Sequence, residues 1–260
     1  MSLSPEENAF VWALDGKGAA EYADVRPGYP AAAVDGLLAR APRRTPLLAA
    51  DIGAGTGKFT RTLTQRGVEV IAVDPSPAMR AELAHAIPAP LQIRDATAES
   101  TGLPSSSVDM VTWAQCFHWL DQPAATAEAA RILRPGGVAA AIWNQMDVEV
   151  PWVHRLSRIM RSGDVRRRDR GPDFGPRFET PELIEVAWSD RISPESIFAL
   201  ARTRSSYLKS DSAGRERMQE NLRWYLYDHL GFTPESTVEG LFIKMIRHML
   251  DQGFQAGSAM

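Results

Sequence analysis

Between residues 47 and 144 the apolar positions fall into short, nearly continuous runs, separated by segments whose apolar residues recur at helical spacing. The runs are Leu47 to Ile52, Val68 to Asp74, Leu91 to Arg94, Val108 to Ala114 and Val138 to Trp143. Continuous apolar character is what strands covered on both faces require. Helices are expected near Lys58 to Arg66, Pro77 to Ala86 and Pro123 to Leu133, the last ended by "RPGG", where Pro135 and two glycines stop it and turn the chain. Strand alternating with helix predicts a parallel sheet, and right-handed crossovers make it a doubly wound α/β fold.

The flanks follow other rhythms. An aromatic segment, "EYADVRPGYP", and a short helical stretch, "AAAVDGLLARA", precede the first strand and read as a lid and first helix over residues 1–46. Residues 47–150 form the α/β core. Residues 151–260 are read as the C-terminal part of the sheet with a helical cap: "PWVHRLSRIM", "ISPESIFALARTRSSYL" and "AGRERMQENLRWYLYDHLG" are helical in spacing, with Ser193, Pro194 and Glu195 capping the second. "VEGLFIKMIRHML" alternates as a strand does, with a helix nearly as good a reading.

Composition narrows the classes. Hydrophobic residues at 44% and charged residues at 23% of 260 suit a folded globular chain. A net charge of −3 gives no footprint for duplex nucleic acid. With Cys116 alone, neither an internal disulfide nor a cysteine metal cage can form, and the five histidines show no metal spacing, so no metal is expected. The opening lacks the basic and apolar regions of a secretory signal, and no uncharged apolar run reaches about 18 residues, so a cytoplasmic protein is expected.

The chemistry centres on "DIGAGTGKFT" after the first strand. A triphosphate loop needs a glycine five residues before Gly57-Lys58 and a hydroxyl after it; the chain has Ile52 and Phe59. A dinucleotide fingerprint needs glycine or alanine three residues after Gly55, where Lys58 stands, which weakens a nicotinamide reading. What remains is Asp51, Gly53, Gly55 and Gly57, then Asp74 at the end of the second strand, 19 residues beyond Gly55, where a carboxylate can accept from both ribose hydroxyls of a nucleoside.

At "DIGAGTGKFT", "VIAVDPSPAMR", "DATAES" running into "LPSSSVDMVTWAQCFHWLD", and "AARILRPGGVAAAIWN", the chain resembles the class I S-adenosylmethionine-dependent methyltransferases, over roughly residues 15 to 145. The likeness is to their small-molecule branch, trans-aconitate methyltransferase-like and ubiquinone/menaquinone-type. It implies a mostly parallel, seven-stranded Rossmann-like sheet. It also implies that Asp51, Gly53, Ala54 and Gly55 hold the methionyl end of S-adenosylmethionine and Asp74 the ribose. By the same likeness Pro75 and Met79 flank the adenine, Asp95, Thr97, Ala98 and Glu99 supply its edge, and Gln115 faces the methionyl group. That cofactor carries no phosphate, so a third dinucleotide glycine is not needed.

Around this frame stand candidates with two readings each. His118 is either a general base, its ordinary pKa near 6.5 suiting proton removal, or a structural or cofactor-contacting histidine. Tyr22, Arg26 and Tyr29 look like a lid, Tyr29 toward substrate; Arg26 forks onto the cofactor carboxylate or an acidic substrate, or pins the first helix. Trp119 and Trp143 wall the substrate pocket or belong to the core. Tyr207, with Ser205 and Ser206, offers hydroxyls to substrate. Arg161, Arg166, Arg167, Arg168 and Arg170 form a solvated loop or recruit an anion. The function expected is methyl transfer to an O, N or C nucleophile of a small metabolite. The alternatives are a catalytically silent cofactor-binding protein and, with less support, a nicotinamide-dependent oxidoreductase. A nucleic-acid methyltransferase is disfavoured because "AQCFHW" stands where the Asn/Asp-Pro-Pro-aromatic motif would.

Overall fold

The computed structural model describes residues 15–87, 91–161 and 172–250, with residues 238–250 described by their backbone. Two helices come first, α1 (Gly16–Val25) and α2 (Ala31–Leu38). The core follows as β1 (Leu48–Ile52), α3 (Lys58–Thr64), β2 (Glu69–Val73), α4 (Pro77–Ala86), β3 (Gln92–Arg94), β4 (Val108–Ala114), α5 (Gln122–Ile132) and β5 (Leu133–Met146). After it come α6 (Pro151–Ile159), β6 (Glu182–Ile192), α7 (Pro194–Arg202), the single turn α8 (Ser205–Leu208), α9 (Ser212–Arg223), which widens into a π turn over Trp224–His229, and β7 (Val238–Leu250). The basic residues 166–170 lie outside the described residues.

Seven strands form one sheet in the order β3-β2-β1-β4-β5-β7-β6. β1 to β5 pair in parallel, and β7 runs antiparallel between β5 and β6. The mostly parallel seven-stranded α/β fold expected from the sequence is therefore present. Alternation along each central strand feeds two cores: Ala50, Val111 and Ala139 enter one cluster with Trp113 and Phe117, while Ala49, Met110 and Ala140 enter the other with Phe59 and Leu63. Both faces are covered, which is why these strands read as unbroken apolar runs.

The chain winds from β1 outward to β3, then returns to place β4 on the other side of β1. That reversal opens a crevice beyond the carboxyl ends of β1 and β4, where ligands of such sheets bind. A third cluster, built from Leu156, Ile197, Leu200, Met218 and Leu222 of α6, α7 and α9 together with Met146, is the core of the cap beside that crevice. α1 packs against both α4 and α7, spanning the crevice from the sheet to the cap.

Two expectations need correction. β5 is longer than Val138 to Trp143: Leu133 already pairs with Val108, and pairing resumes at Val138 with Met110, so "RPGG" is an irregularity inside the strand rather than its approach. β6 is a strand that no apolar run announced. The terminal segment takes the strand reading that its alternation favoured over a helix, paired with β5 on one side and β6 on the other.

Candidate active site

The loop after β1 is shaped by backbone demands. Gly53 and Ala54 both donate from N–H to Val73 O, at 2.8 and 3.1 Å, which folds the chain back over the end of β2. Gly53 has φ +67°, and a Cβ there would stand 2.6 Å from Cys116 Sγ; Gly57 has φ +80°, with a Cβ 2.9 Å from Leu83 Cγ. Conformation and space together demand glycine at both. Beneath the loop the fully buried Asp51 accepts from Thr60 Oγ1 at 2.6 Å and Thr112 Oγ1 at 2.8 Å. Burial pushes its pKa up to about 6, and the two hydroxyl bonds hold it from rising further.

Asp74, at the end of β2, is buried and accepts Gly55 N–H at 2.8 Å and Ser76 N–H at 2.9 Å, one on each oxygen. Burial raises its pKa, opposed by these backbone bonds. A carboxylate has about four acceptor positions, so each oxygen keeps one for a further donor. Ser76 caps α4, bringing buried Met79 and the adjoining Pro75 to the same side. Across from them Asp95 is forked by Arg80 at 2.8 Å on each oxygen, and Arg80 also donates to Asp74 O. Pro75, Asp95 and Thr97 line one open hollow; Ala98 is buried, and Glu99 accepts from Asp121 N–H at 3.2 Å.

β4 ends in a conformational exception. Gln115 has φ +65°, a left-handed backbone uncommon outside glycine, held there by its N–H bond to Ile142 O at 2.8 Å. Phe117–Trp119 then make a 3₁₀ turn. The buried Trp143 donates from Nε1 to His118 Nδ1 at 3.4 Å. A neutral imidazole that accepts at Nδ1 carries its proton on Nε2.

Lid, loop, strand ends and cap meet in one pocket. The lid contributes Tyr22, Arg26, Pro27 and Tyr29; the loop and α3 contribute Gly53, Ala54, Gly55, Thr56, Lys58 and Phe59; β4 gives Ala114 and Gln115, β5 gives Asn144 and Met146, and the cap gives Arg204. Arg26 reaches 177 residues along the chain to donate to Thr203 Oγ1 at 3.1 Å and Thr203 O at 2.7 Å, while its guanidinium lies 4.7 Å from the Tyr22 ring centre. Arg202 bridges to Glu21 of α1 at 2.7 Å. Asn144 Nδ2 donates to Gly28 O at 3.2 Å, tying the lid to β5. Tyr29 packs edge-on against Phe59, and its pKa is raised well above the ordinary value by burial first and by Tyr22 and Asp51 after it.

Of the residues singled out from sequence, Tyr22, Arg26, Tyr29, Gly53, Ala54, Gly55 and Gln115 come together in this pocket. Asp51 lies under it as a tie between β1, α3 and β4. Asp74, Pro75, Met79, Asp95, Thr97, Ala98 and Glu99 lie along the neighbouring stretch of the same sheet edge. His118 and Trp119 follow Gln115 but are not among its described lining, and Lys209 Nζ sits 5.2 Å from the Trp119 ring. Two proposed substrate walls are placed elsewhere: Trp143 is core, because its ring is enclosed near Phe117, and Tyr207 packs into the cap under Arg215. Ser206 donates to Met160 O, a cap contact. Sequence reasoning missed Asn144, Met146 and Arg204. Asn144 had a signal, a polar residue closing an apolar strand; Arg204 had none.

Residues 50–141 match the family described as a methyltransferase domain. An uncharacterised methyltransferase of Mycobacterium tuberculosis is 38% identical over 216 residues, covering 82% of this chain and 86% of that protein. A proposed type II methyltransferase from Anaeromyxobacter dehalogenans has a similar structure, with TM-score 0.63, 28% identity, and 86% of this chain and 97% of the other covered. The Haemonchus contortus phosphoethanolamine N-methyltransferase 2, solved with S-adenosylhomocysteine, matches with TM-score 0.54 and 16% identity over 94% of this chain and 60% of its own, a likeness of fold alone. With the glycine loop, the terminal Asp of β2 and the seven-stranded topology in place, the chain belongs to the class I S-adenosylmethionine-dependent methyltransferases.

Proposed function

We propose that this enzyme methylates an O, N or C nucleophile of a small molecule enclosed between the glycine loop, the ends of β4 and β5, and the helical cap, leaving S-adenosylhomocysteine. The observation that carries the reading is the pocket in which lid, bare glycine backbone, left-handed Gln115 and cap converge. Such a walled pocket suits a small acceptor rather than a polymer. In this reading residues up to 46 are the lid, 47–150 hold the cofactor, and 151–260 complete the sheet and cap the substrate.

The residues fit the cofactor's parts. Gly53, Ala54 and Gly55 present a surface without long side chains to the methionyl chain, with Arg26 and Lys58 placed to meet its carboxylate. Asp74 has acceptor capacity for ribose hydroxyls, Pro75 and Met79 face the adenine plane, and Asp95, Thr97, Ala98 and Glu99 lie at its edge. When bound, S-adenosylmethionine would supply an electrophilic methyl carbon to the acceptor's nucleophile, with its thioether sulfur as the leaving group. The protein's part is alignment, which accounts for much of the acceleration in such displacements.

His118 is the candidate general base, following Gln115 at the end of β4, with a structural or cofactor-contacting histidine as the second reading; Trp143 Nε1 donates to its Nδ1 at 3.4 Å. Tyr29 keeps its proton at neutral pH and is an orienting hydroxyl. The test is calorimetry with S-adenosylhomocysteine and with NAD, followed by a labelled-methyl screen against metabolites. Tight binding of the first with label transfer is expected; preferential binding of the pyridine nucleotide would overturn the reading.

A further inference from the structure

Asn144 stands near the end of β5 and lines the pocket where the strand meets the lid. Its Nδ2 donates to Gly28 O at 3.2 Å and, at a longer 3.4 Å, to Pro27 O. Those two carbonyls decide which way the amide points, because turned over it would set Oδ1 against both, acceptor against acceptor. Oδ1 therefore faces away from the lid backbone. There it is buried and has no hydrogen-bond partner among the described residues. Buried side-chain acceptors are as a rule paired, since one stripped of water and given nothing in return carries the whole cost of its desolvation.

The two ends of this amide thus belong to two different partners. We propose that Asn144 determines specificity by reading a hydrogen-bond donor, O–H or N–H, on the methyl acceptor and coupling it to lid closure: Nδ2 holds the lid down, and a donor seated before the lid closes takes the place of water at Oδ1. An amide oxygen only accepts, so an ionised acid, an ether or a bare carbon at this point leaves it unpaired and gives closure no support. A hydroxyl or an N–H supplies the missing bond. The cofactor's ammonium is the rival donor, but the order of the sheet places it less well. The methionyl end is assigned to the loop after β1, and β4 with Gln115 stands between that loop and β5, so Asn144 lies one strand further out, on the acceptor's side. This inference rests on the methyl-transfer reading above.

The test uses the full chain saturated with S-adenosylhomocysteine. Phenol, aniline and benzyl alcohol are titrated against anisole, N,N-dimethylaniline and benzyl methyl ether, which keep the ring and lose the donor. Affinity is read by ligand-observed NMR and lid closure by amide hydrogen exchange from α1 to Gly28. At least one donor is expected to bind about fivefold or more tighter than its methylated counterpart and to slow exchange in the lid. Asn144→Ala should lose both the preference and the slowing. Asn144→Asp keeps an acceptor oxygen but has no N–H for the lid carbonyls, so the preference should persist while lid exchange stops responding; thermal unfolding checks that both variants fold. Donors and counterparts bound alike, none of the three donors bound, a preference that survives Asn144→Ala, or a lid that still responds in Asn144→Asp overturns the proposal. The rival is tested with S-adenosylhomocysteine and its desamino analogue, whose affinities Asn144→Ala should change by the same factor to within about twofold. A loss confined to the amine-bearing compound overturns the proposal by putting Oδ1 on the cofactor's ammonium. A wild-type chain that binds no S-adenosylhomocysteine defeats the methyl-transfer reading instead, a result seen before any probe is added.

Discussion

The two walls of the pocket are built by different means. The sheet-side wall, from β1 to Gln115, is set by backbone: left-handed glycines, N–H groups returning to Val73 O, and an Asp whose oxygens accept from the main chain. The lid-and-cap wall is set by side chains reaching across 177 and 181 residues of sequence, Arg26 to Thr203 and Arg202 to Glu21. Each wall buries a charge against its ordinary ionisation, Asp51 on one side and Arg204 on the other. The contrast implies that the sheet side has little freedom to change shape, whereas the lid side can loosen without loss of the fold.

The largest effect should therefore come from one methyl group in the sheet-side wall. Gly53→Ala puts a Cβ 2.6 Å from Cys116 Sγ at a φ of +67°, combining left-handed strain with overpacking of a buried contact. A destabilisation of about 3 to 5 kcal/mol is expected, read by urea unfolding. Gly55→Ala is the control: its φ is +57° but nothing lies within 4 Å, so about 1 to 2 kcal/mol of conformational strain is expected. Equal losses in the two variants would show that local space does not govern this loop.

Next comes the charge beneath the loop. The unfolded chain ionises Asp51 near its ordinary 3.8, while the folded chain keeps the proton to about 6. Between those values the folded state holds more protons than the unfolded one, so the contribution of this group to stability falls as pH rises. Asp51→Asn removes that dependence and should gain on wild type by about 2 kcal/mol from pH 4 to pH 7. Parallel stability profiles for the two proteins would mean that Asp51 is ionised throughout.

The same contrast explains what the sequence made legible. Strands β1 to β4 and their helices were readable because a parallel sheet buried on both faces writes its location as apolar runs, and Gly53 and Asp74 because backbone geometry admits few other residues there. β6 was missed although Ile184, Val186 and Trp188 alternate correctly, because Glu182, Glu185, Asp190 and Arg191 break the run at an exposed sheet edge. β7 alternates as a strand does, and pairing with β5 and β6 decides for the strand over the helix that the same pattern nearly allowed. Arg202 and Arg204 look alike in "ARTRSSYL"; only the end of α7 between them sends one outward and the other into the pocket. Gln115 shows the converse, a site residue known by position whose left-handed backbone no sequence pattern announces.

Asp74 tests whether the sheet-side wall also binds by polar contacts. Asp74→Asn keeps the size but loses one acceptor oxygen and the charge, and S-adenosylhomocysteine affinity should fall by about 1.5 to 3 kcal/mol in calorimetry. An unchanged dissociation constant in the folded variant would take the ribose away from this residue.

The smallest expected effect on stability lies in the other wall and sharpens the contrast most. Glu21 and Arg202 join lid to cap with side chains 39% and 41% exposed, a degree of exposure at which an ion pair contributes less than about 1 kcal/mol. Glu21→Gln should therefore leave the unfolding midpoint nearly unchanged. α1 nonetheless packs on both α4 and α7, and Arg26 at its end is fixed to the residue that follows α7. Weakening the bridge should loosen closure over the methionyl end and speed cofactor release by about two- to fivefold in stopped-flow displacement, the range for a loss below 1 kcal/mol. Added salt should reduce the wild-type advantage, since exposed pairs are screened. Release at the wild-type rate in low salt would show that Arg26 and Asn144 hold the lid by themselves, and a large drop in the unfolding midpoint would show that this wall, too, is part of the fold's rigid frame.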